Sequence, residues 1–399
     1  MQTLIEYQQS LMDGVVDDFY RFLYHQLPWE NRMIAIRGLR GAGKTTMLLQ
    51  HLKYGQPKNI KSLYLTADHP WLYTTTLLDT ARIWVQNGGN ALYIDEVHKY
   101  HNWSRELKNI YDGFPKLKVI FTASSALDIY RGESDLSRRV LTFTLPGMSF
   151  REYLNLTQRR ALDRVPLEQI LEDPVQTAVA IKAQIGTPLP LFRDYLVRGY
   201  LPFTHGEQDR YYLTRLLQVI DASISTDLAF IENYSATHAT KIKRLMGVMA
   251  ESAPFEPNIS ALAQKLKLGR DTVNNFLHHL ERACLLNLVN KPTEGIAALQ
   301  KPDKIYLENT NLSFALKENP DQGTIRETVF LNQMRNAGHK VHLATKGDFL
   351  VDHTYTFEVG GRSKTMKQIA DLRNAYVVAD DIELGFGNKL PLWLFGFLY

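Results

Sequence analysis

The chain has 399 residues, 45% of them apolar and 22% charged, with a formal net charge of +4. These proportions exclude a low-complexity or disordered chain, suggest two or three domains, and allow a core that needs no staples. Its single cysteine, Cys284, excludes a disulfide framework or a cysteine-based metal site; in the apolar run Ala283–Leu286 it reads as core. The first residues, Met1–Glu6, lack a basic segment followed by an apolar one, and no apolar run approaches the ~18 residues of a membrane span, so a cytoplasmic protein is expected. The mild positive charge permits nucleic-acid binding without requiring it.

Residues 1–31 are expected to be mostly helical, because Val15, Val16, Phe19, Phe22 and Leu23 recur at helical spacing. Arg32–Arg37 reads as a short buried strand and Thr45–Leu52 as a helix. Between them lies Gly38-Leu39-Arg40-Gly41-Ala42-Gly43-Lys44-Thr45, which fits Gly-x-x-x-x-Gly-Lys-[Ser/Thr], the phosphate-binding P-loop, in the strand–loop–helix context the motif needs. Gly38, Gly41 and Gly43 allow backbone angles and close approaches closed to larger residues. The N–H groups of the loop, Arg40 and Ala42 included, then point into one concavity at the positive end of the following helix, which opens with Lys44, Thr45 and Thr46. Lys44 would give a point charge to the β and γ phosphates, and the Thr45 hydroxyl would ligate Mg²⁺.

Further strands are expected at Ile60–Leu65, Ala91–Glu96, Lys118–Ser125 and Arg139–Leu145, alternating with helices at Leu72–Gln86 and from His98 onward. The alternation implies a parallel sheet with helices on both faces, and ligands of such sheets bind beyond the carboxyl ends of the strands. Ala91–Glu96 has the form of a Walker B strand: Asp95 would hold Mg²⁺ through water, and Glu96 would orient or deprotonate the attacking water. Thr122 or Ser124 could sense the γ-phosphate, or could equally cap the next helix.

Residues 150–235 read as a helical lid broken at Gly186–Pro190 and Gly199–Pro202. Ile259–Leu266, a turn at Leu268–Arg270 and a helix with Val273, Leu277 and Leu280 inward form a helix-turn-helix pattern. Thr272, Asn274, Asn275, His278 and His279 could read a groove of double-stranded DNA, with Arg270 on a phosphate; the same triplet could equally pack on a neighbouring domain or bind a protein client. The last hundred residues read as mixed α/β, with strands at Lys304–Leu307, Val341–Ala344, Tyr355–Val359 and Tyr376–Ala379 and a helix at Thr324–Ala337.

The P-loop with Arg40 inside it, Tyr93–Tyr100, Phe121–Ser125, Ser137–Val140, Leu145–Tyr153, Arg198–Pro202 and Lys304–Leu307, in this order, resemble the prokaryotic AAA-like P-loop ATPases (AAA_14) that carry a C-terminal domain of unknown function, DUF4143. The resemblance implies ATP with Mg²⁺. The element pattern divides the chain into an ATPase core at 1–150, a helical lid at 151–237, a winged helix-turn-helix at 238–292 and a small mixed α/β domain at 293–399, for which the resemblance implies a restriction-endonuclease type of fold. The resemblance also implies an arginine finger or γ-phosphate contact at Arg139, in its own chain or across an oligomer. In the last domain it implies a helix Glu, a strand Asp and Glu-x-Lys, here Glu327, Asp348 and Glu358-Val359-Gly360. The lysine position is a glycine and the nearest lysine is Lys364, so a degenerate fold without nuclease activity is expected. The expected function is a Mg²⁺-dependent ATPase coupled to the winged helix and C-terminal domain and acting on DNA; the alternative is a nucleotide-switched DNA-binding or protein-interaction module with little hydrolysis.

Overall fold

The computed structural model describes residues 1–127, 136–204, 209–232, 234–252, 254, 256–292 and 301–399. They form two compact units, one of residues 1–146 with 226–234, the other of residues 147–225 with 235–399. The first four residues expected for the last domain, 293–296, lie outside the described set, as do 297–300.

The first unit is a five-stranded sheet in the order β2-β3-β4-β1-β5, all neighbours parallel. Its strands are β1 (Met33–Gly38), β2 (Ser62–Thr66), β3 (Ala91–Asp95), β4 (Lys118–Ser124) and β5 (Leu141–Thr144). Alternate residues feed opposite faces. Ile34, Ile36, Tyr64, Tyr93 and Ile120 pack with Met47 and Leu48 of helix α2 (Lys44–Gln50). Ala35, Leu63, Leu65, Leu92, Ile94 and Phe121 pack with helices α3 (Leu77–Gln86) and α4 (Trp103–Gly113). Strands buried on both faces must read as continuous apolar runs, which is why β1, β3 and β4 were legible. The registers Gly38↔Ser124 and Thr66↔Asp95 bring the carboxyl ends of four strands to one edge.

The amino-terminal stretch departs from expectation. Helix α1 (Gln2–Asp13) ends at Gly14, and Val15–Arg21 is irregular before a short turn at Phe22–His25. The apolar residues at helical spacing are used by separate contacts rather than by one helix face. The Gln8 side-chain oxygen accepts from the N–H of Tyr64 at 2.7 Å, so α1 covers part of the otherwise open edge of β2. The helix expected from Leu72 begins at Leu77, where the Thr76 side chain accepts the Asp79 N–H.

In the second unit, helices run over Phe150–Gln158, Leu167–Glu172, Pro174–Ile185, Pro188–Arg198 and Asp209–Ala222. Ser149 and Glu152 close a capping box at the first. Pro188 and Pro190, read above as part of a break, lie in the first turn of their helix, where a missing N–H costs nothing. Helices Ala236–Ser252, Ile259–Leu266 and Arg270–Arg282 follow, then the antiparallel pair β6 (Leu286–Val289) and β7 (Lys304–Leu307). A second five-stranded sheet has the order β12-β11-β10-β9-β8, built from β8 (Val341–Leu343), β9 (Phe349–Val351), β10 (Tyr355–Gly360), β11 (Ala375–Ala379) and β12 (Lys389–Pro391). It is mixed: β10, β11 and β12 run parallel, while β8 and β9 pair antiparallel.

Glu308 is buried in this unit. Its carboxylate accepts from the Tyr200 hydroxyl at 2.8 Å and from the side-chain amides of Asn287 and Asn332, each at 3.0 Å. Burial pushes its pKa up to about 7 although all three donors favour the anion. Two of the family-like stretches, Arg198–Pro202 and Lys304–Leu307, thus flank an internal polar network, and their role here is in the core.

Candidate nucleotide site

The P-loop joins β1 to α2, and its shape follows from its glycines. Gly41 and Gly43 hold φ of 82° and 96°, open to glycine at little cost. A Cβ on Gly38 would collide with the carbonyl oxygen of Leu145. Lys44 is 8% exposed, and its ammonium donates to the carbonyl oxygens of Gly38 at 2.7 Å and Leu39 at 3.1 Å. Burial pulls its pKa below the usual lysine range, against the opposing pull of Asp95 and Glu96. A buried ammonium held only by carbonyl dipoles is under-compensated, and phosphate oxygens are the ligand that would complete it.

Asp95, at the end of β3, is the hub. Its Oδ2 accepts from the Thr45 hydroxyl at 2.7 Å and from the Tyr64 hydroxyl at 3.0 Å. Its Oδ1 accepts from the Thr122 hydroxyl, whose oxygen accepts the Glu96 N–H at 2.8 Å. Thr45 and Asp95, expected to share Mg²⁺, are therefore in direct contact, and the hard oxygens of the two suit that ion. Thr122 is spent on positioning Asp95 and the Glu96 backbone. Ser124 is 7% exposed and its oxygen accepts the Ala126 N–H at 3.4 Å, the local-cap alternative. Thr45 and Thr46 are exposed at the loop, and Ala42 is buried beneath it.

Glu96 occupies the left-handed region, φ 52°, and caps a short turn from Val97 to Lys99. A non-glycine residue there costs roughly 1 kcal/mol or more. Its carboxylate pairs with Lys99, which also donates to Asp68 at 2.6 Å.

Three contributors were not legible in the sequence. Arg21, 4% exposed, donates to the Ala42 carbonyl inside the loop and to the Pro146 carbonyl at 2.8 Å. His98 accepts the Ser124 N–H on Nδ1 at 3.2 Å and lies 3.8 Å from Asp227 through Nε2. Asp227, in the 226–234 segment that returns to this unit, accepts from Arg40 of the P-loop at 2.8 Å. Burial works to raise the Asp227 carboxyl, but His98 and Arg40 outweigh it and hold it below the usual range. Arg40 and Asp227 lie 187 positions apart, so no spacing argument could pair them. Asp227→Asn is expected to tighten ATP binding roughly 3- to 10-fold, because it frees Arg40 and removes a negative charge near the phosphates. Titration with a fluorescent ATP analogue checks this; weakened binding would mean that Asp227 holds Arg40 in its working position.

Arg139 does not join the site. It precedes β5 at the amino end of the sheet, where its guanidinium grips Asp112 at 2.9 and 3.1 Å. Leu141 pairs with Ile34 near the start of β1, so Arg139 lies at least the length of that strand, on the order of 16 Å, from its own P-loop. A γ-phosphate contact within its own chain is thereby corrected; action across an oligomer remains a proposal.

The acids expected in the C-terminal sheet each have partners of their own, and among the described residues no three of them form a group that could hold a metal ion. Glu327, on the Gln322–Asn336 helix, accepts from Lys304 at 2.8 Å and the Tyr306 hydroxyl at 2.6 Å. Asp348, preceding β9, accepts the Val359 N–H at 2.7 Å. Burial pushes the Asp348 pKa up to about 6, with the Glu327 charge adding to it. Glu358 on β10 is 1% exposed and pairs with Lys364 at 2.5 Å. On the Arg270–Arg282 helix, Val273, Phe276, Leu277 and Leu280 are buried, while Arg270, Asn275 and His278 are exposed.

Residues 30–154 match the family described as AAA domain, AAA_14, and residues 189–323 match a domain of unknown function, DUF8612. DUF4143, which the sequence resembles, is not the family matched there. An uncharacterized protein of Methanocaldococcus jannaschii, MJ1637, is 28% identical over 268 residues, 64% of this chain; the chain spans only 56% of that relative's length. The Aeropyrum pernix ORC1 protein, solved in complex with DNA, aligns over 78% of this chain and 91% of its own at 11% identity and a TM-score of 0.31. AMPPCP-bound DnaA from Aquifex aeolicus aligns over 65% of this chain and 84% of its own at 15% identity and a TM-score of 0.24. Likeness at these scores bears on neither function nor partner. Among the described residues no helix is long and apolar enough to cross a membrane. By the matched segment, and by the parallel sheet and P-loop built from it, residues 30–154 form an AAA domain of the P-loop type.

Proposed function

We propose that this protein binds ATP with Mg²⁺ and hydrolyses it, and that nucleotide state is passed along the chain to the helix-turn-helix and C-terminal regions, with double-stranded DNA as the target. The observation that carries the reading is the meeting of Lys44, Thr45, Asp95 and Glu96 at one sheet edge. Bound Mg²⁺ would draw charge from the β and γ phosphates. Lys44 would leave the Gly38 and Leu39 carbonyls for the phosphate oxygens, and Thr45 and Asp95 would hold the ion. Glu96 would exchange Lys99 for the attacking water. Asp227 gives the site a sensor: once Arg40 turns to the γ-phosphate, the carboxylate loses its partner, and the 226–234 segment is continuous with helices of the second unit at both ends.

DNA contact is proposed for residues 270–279, where Arg270, Asn275 and His278 are exposed on a helix followed by an antiparallel strand pair. The boundaries at 237/238 and 292/293, a winged helix within them, a protein client, and Arg139 reaching a neighbouring subunit belong to the same proposal. The test is ATP turnover by the full chain with Mg²⁺, with and without duplex DNA, over a salt series. Turnover that rises with DNA at low salt, and loses the stimulation steeply as salt increases, supports the reading. Turnover indifferent to DNA moves the target to a protein client. ATP binding with no turnover favours the switch reading, in which Glu96 stays with Lys99.

A further inference from the structure

A buried imidazole at the amino end of the first sheet has one nitrogen without a partner among the described residues. Helix α2 does not stop at Gln50. Residues His51–Gly55 continue it as a π-helical turn, a rare widening that recurs at functional sites. The turn lays His51 against Trp29, ring on ring at 3.9 Å and 9° from parallel. His51 is 6% exposed. A Cβ on Gly55 would collide with the His51 ring and the Tyr24 hydroxyl, so the turn closes this tightly only around glycine.

A chain of side chains fixes which nitrogen of His51 carries the proton. The Ser62 hydroxyl donates to the Gln56 side-chain oxygen, and the Gln56 amide donates to the Tyr93 hydroxyl oxygen. Tyr93 then has one proton to give, and His51 Nδ1 takes it at 2.7 Å. Burial, helped by the Lys118 charge, pulls the His51 pKa down to about 4. The ring is therefore neutral near neutral pH, and its hydrogen sits on Nε2. Among the described residues nothing accepts from Nε2. A donor on so buried a ring is costly to leave unmatched.

Nε2 is instead open to a cavity of about 180 Å³ lined by Trp29, His51, Ile60, Tyr93 and Lys118, with Glu30 at its exposed rim. Ala91 and Lys118, also in its wall, open β3 and β4, so the cavity lies at the end of the sheet opposite to the P-loop. The half-buried Lys118 ammonium has no anionic partner among the described residues. A mostly apolar wall with one neutral donor and one cation matches an apolar molecule that ends in an anionic acceptor. An apolar cavity of roughly 150 Å³ holds a benzene ring, which sets the size.

We propose that this cavity binds a small apolar carboxylate of single-ring size. The carboxylate accepts from His51 Nε2 and faces the Lys118 ammonium, and the apolar body lies among Trp29, Ile60 and Tyr93.

The test uses the full chain without nucleotide, so its outcome is separate from that of the ATPase reading. Benzoate is titrated by calorimetry beside neutral benzamide, cationic benzylamine and the two-ring naphthoate. Benzoate is expected to bind at a single site with a millimolar or tighter Kd, and each of the others more weakly. Lys118→Met should weaken benzoate roughly 10-fold or more and leave benzamide within about threefold, because only the anion loses a charge-assisted contact. Magnetic resonance of isotope-labelled histidine, with His51 assigned by its loss in His51→Gln, should show a protonated Nε2 whose signal moves when benzoate is added. No binding of benzoate, binding of any of the other three as tight as that of benzoate, benzoate affinity unchanged in Lys118→Met, or an unprotonated Nε2 overturns the proposal.

Discussion

Lys44→Ala will abolish measurable ATP binding while leaving the fold intact. Each hydrogen bond from a charged donor is worth about 1.5–3 kcal/mol, and Lys44 would make at least two to phosphate oxygens. At about 1.4 kcal/mol per decade, the loss is on the order of 10²- to 10⁴-fold in affinity. The fold should not share that loss. Lys44 is buried against carbonyl oxygens alone, and burial lowers its pKa, so the apo protein gains little from its charge. Alanine strands two carbonyls but removes a desolvated ammonium, and the two effects oppose each other. Calorimetric titration with ATP and a thermal melt of the apo protein check both halves. Micromolar binding retained by the variant would remove Lys44 from its assigned role, and a melting temperature lowered by more than a few degrees would recast it as structural.

Glu96→Gln is expected to keep ATP binding and slow turnover by roughly 10²-fold or more, since an amide cannot take the proton of the attacking water. The effect belongs to chemistry rather than to stability. The Glu96–Lys99 pair is about a quarter exposed on each side, and pairs of that kind contribute at most about 1 kcal/mol. A companion variant separates the two directly. Glu96 holds φ 52°, so Glu96→Gly relieves a left-handed strain and should stabilise the protein by about 0.5–1 kcal/mol while turnover falls as in the glutamine variant. A residue that lowers stability at its own position and is needed for turnover marks a functional site. An unchanged rate in Glu96→Gln would pass the role to another group.

Much of the geometry of the candidate nucleotide site was legible because its constraints are local. Close approach at Gly38, positive φ at Gly41 and Gly43, and an apolar strand ending in Asp95-Glu96 are constraints between neighbours in the chain, and they leave a spacing to read. The same holds for β1, β3, β4 and β10, whose apolar runs follow from burial. Val15–Leu23 shows where that reasoning stops. Apolar residues at helical spacing predict one helix face, but Gly14 ends the helix and the contacts are made piecemeal. β9, three residues long, was too short to carry a period at all.

What the sequence by itself determined is therefore the parallel sheet, the phosphate loop, the acidic end of β3 and the identity of the acids near β10. The tertiary structure alone decided the partners. Arg21 reaches the loop from an irregular segment, and Asp227 returns 187 positions later to hold Arg40. Arg139 is carried to the opposite end of the sheet, because it precedes the strand whose carboxyl end lies at the P-loop edge. Lys364 stands where a spacing rule finds only Gly360, because a turn of four residues brings a long side chain back over its own strand. Spacing along a chain predicts proximity only while the backbone keeps one regular conformation. Where it turns, or where two segments meet after a long excursion, burial and charge pairing choose the neighbour, and those are properties of the folded molecule.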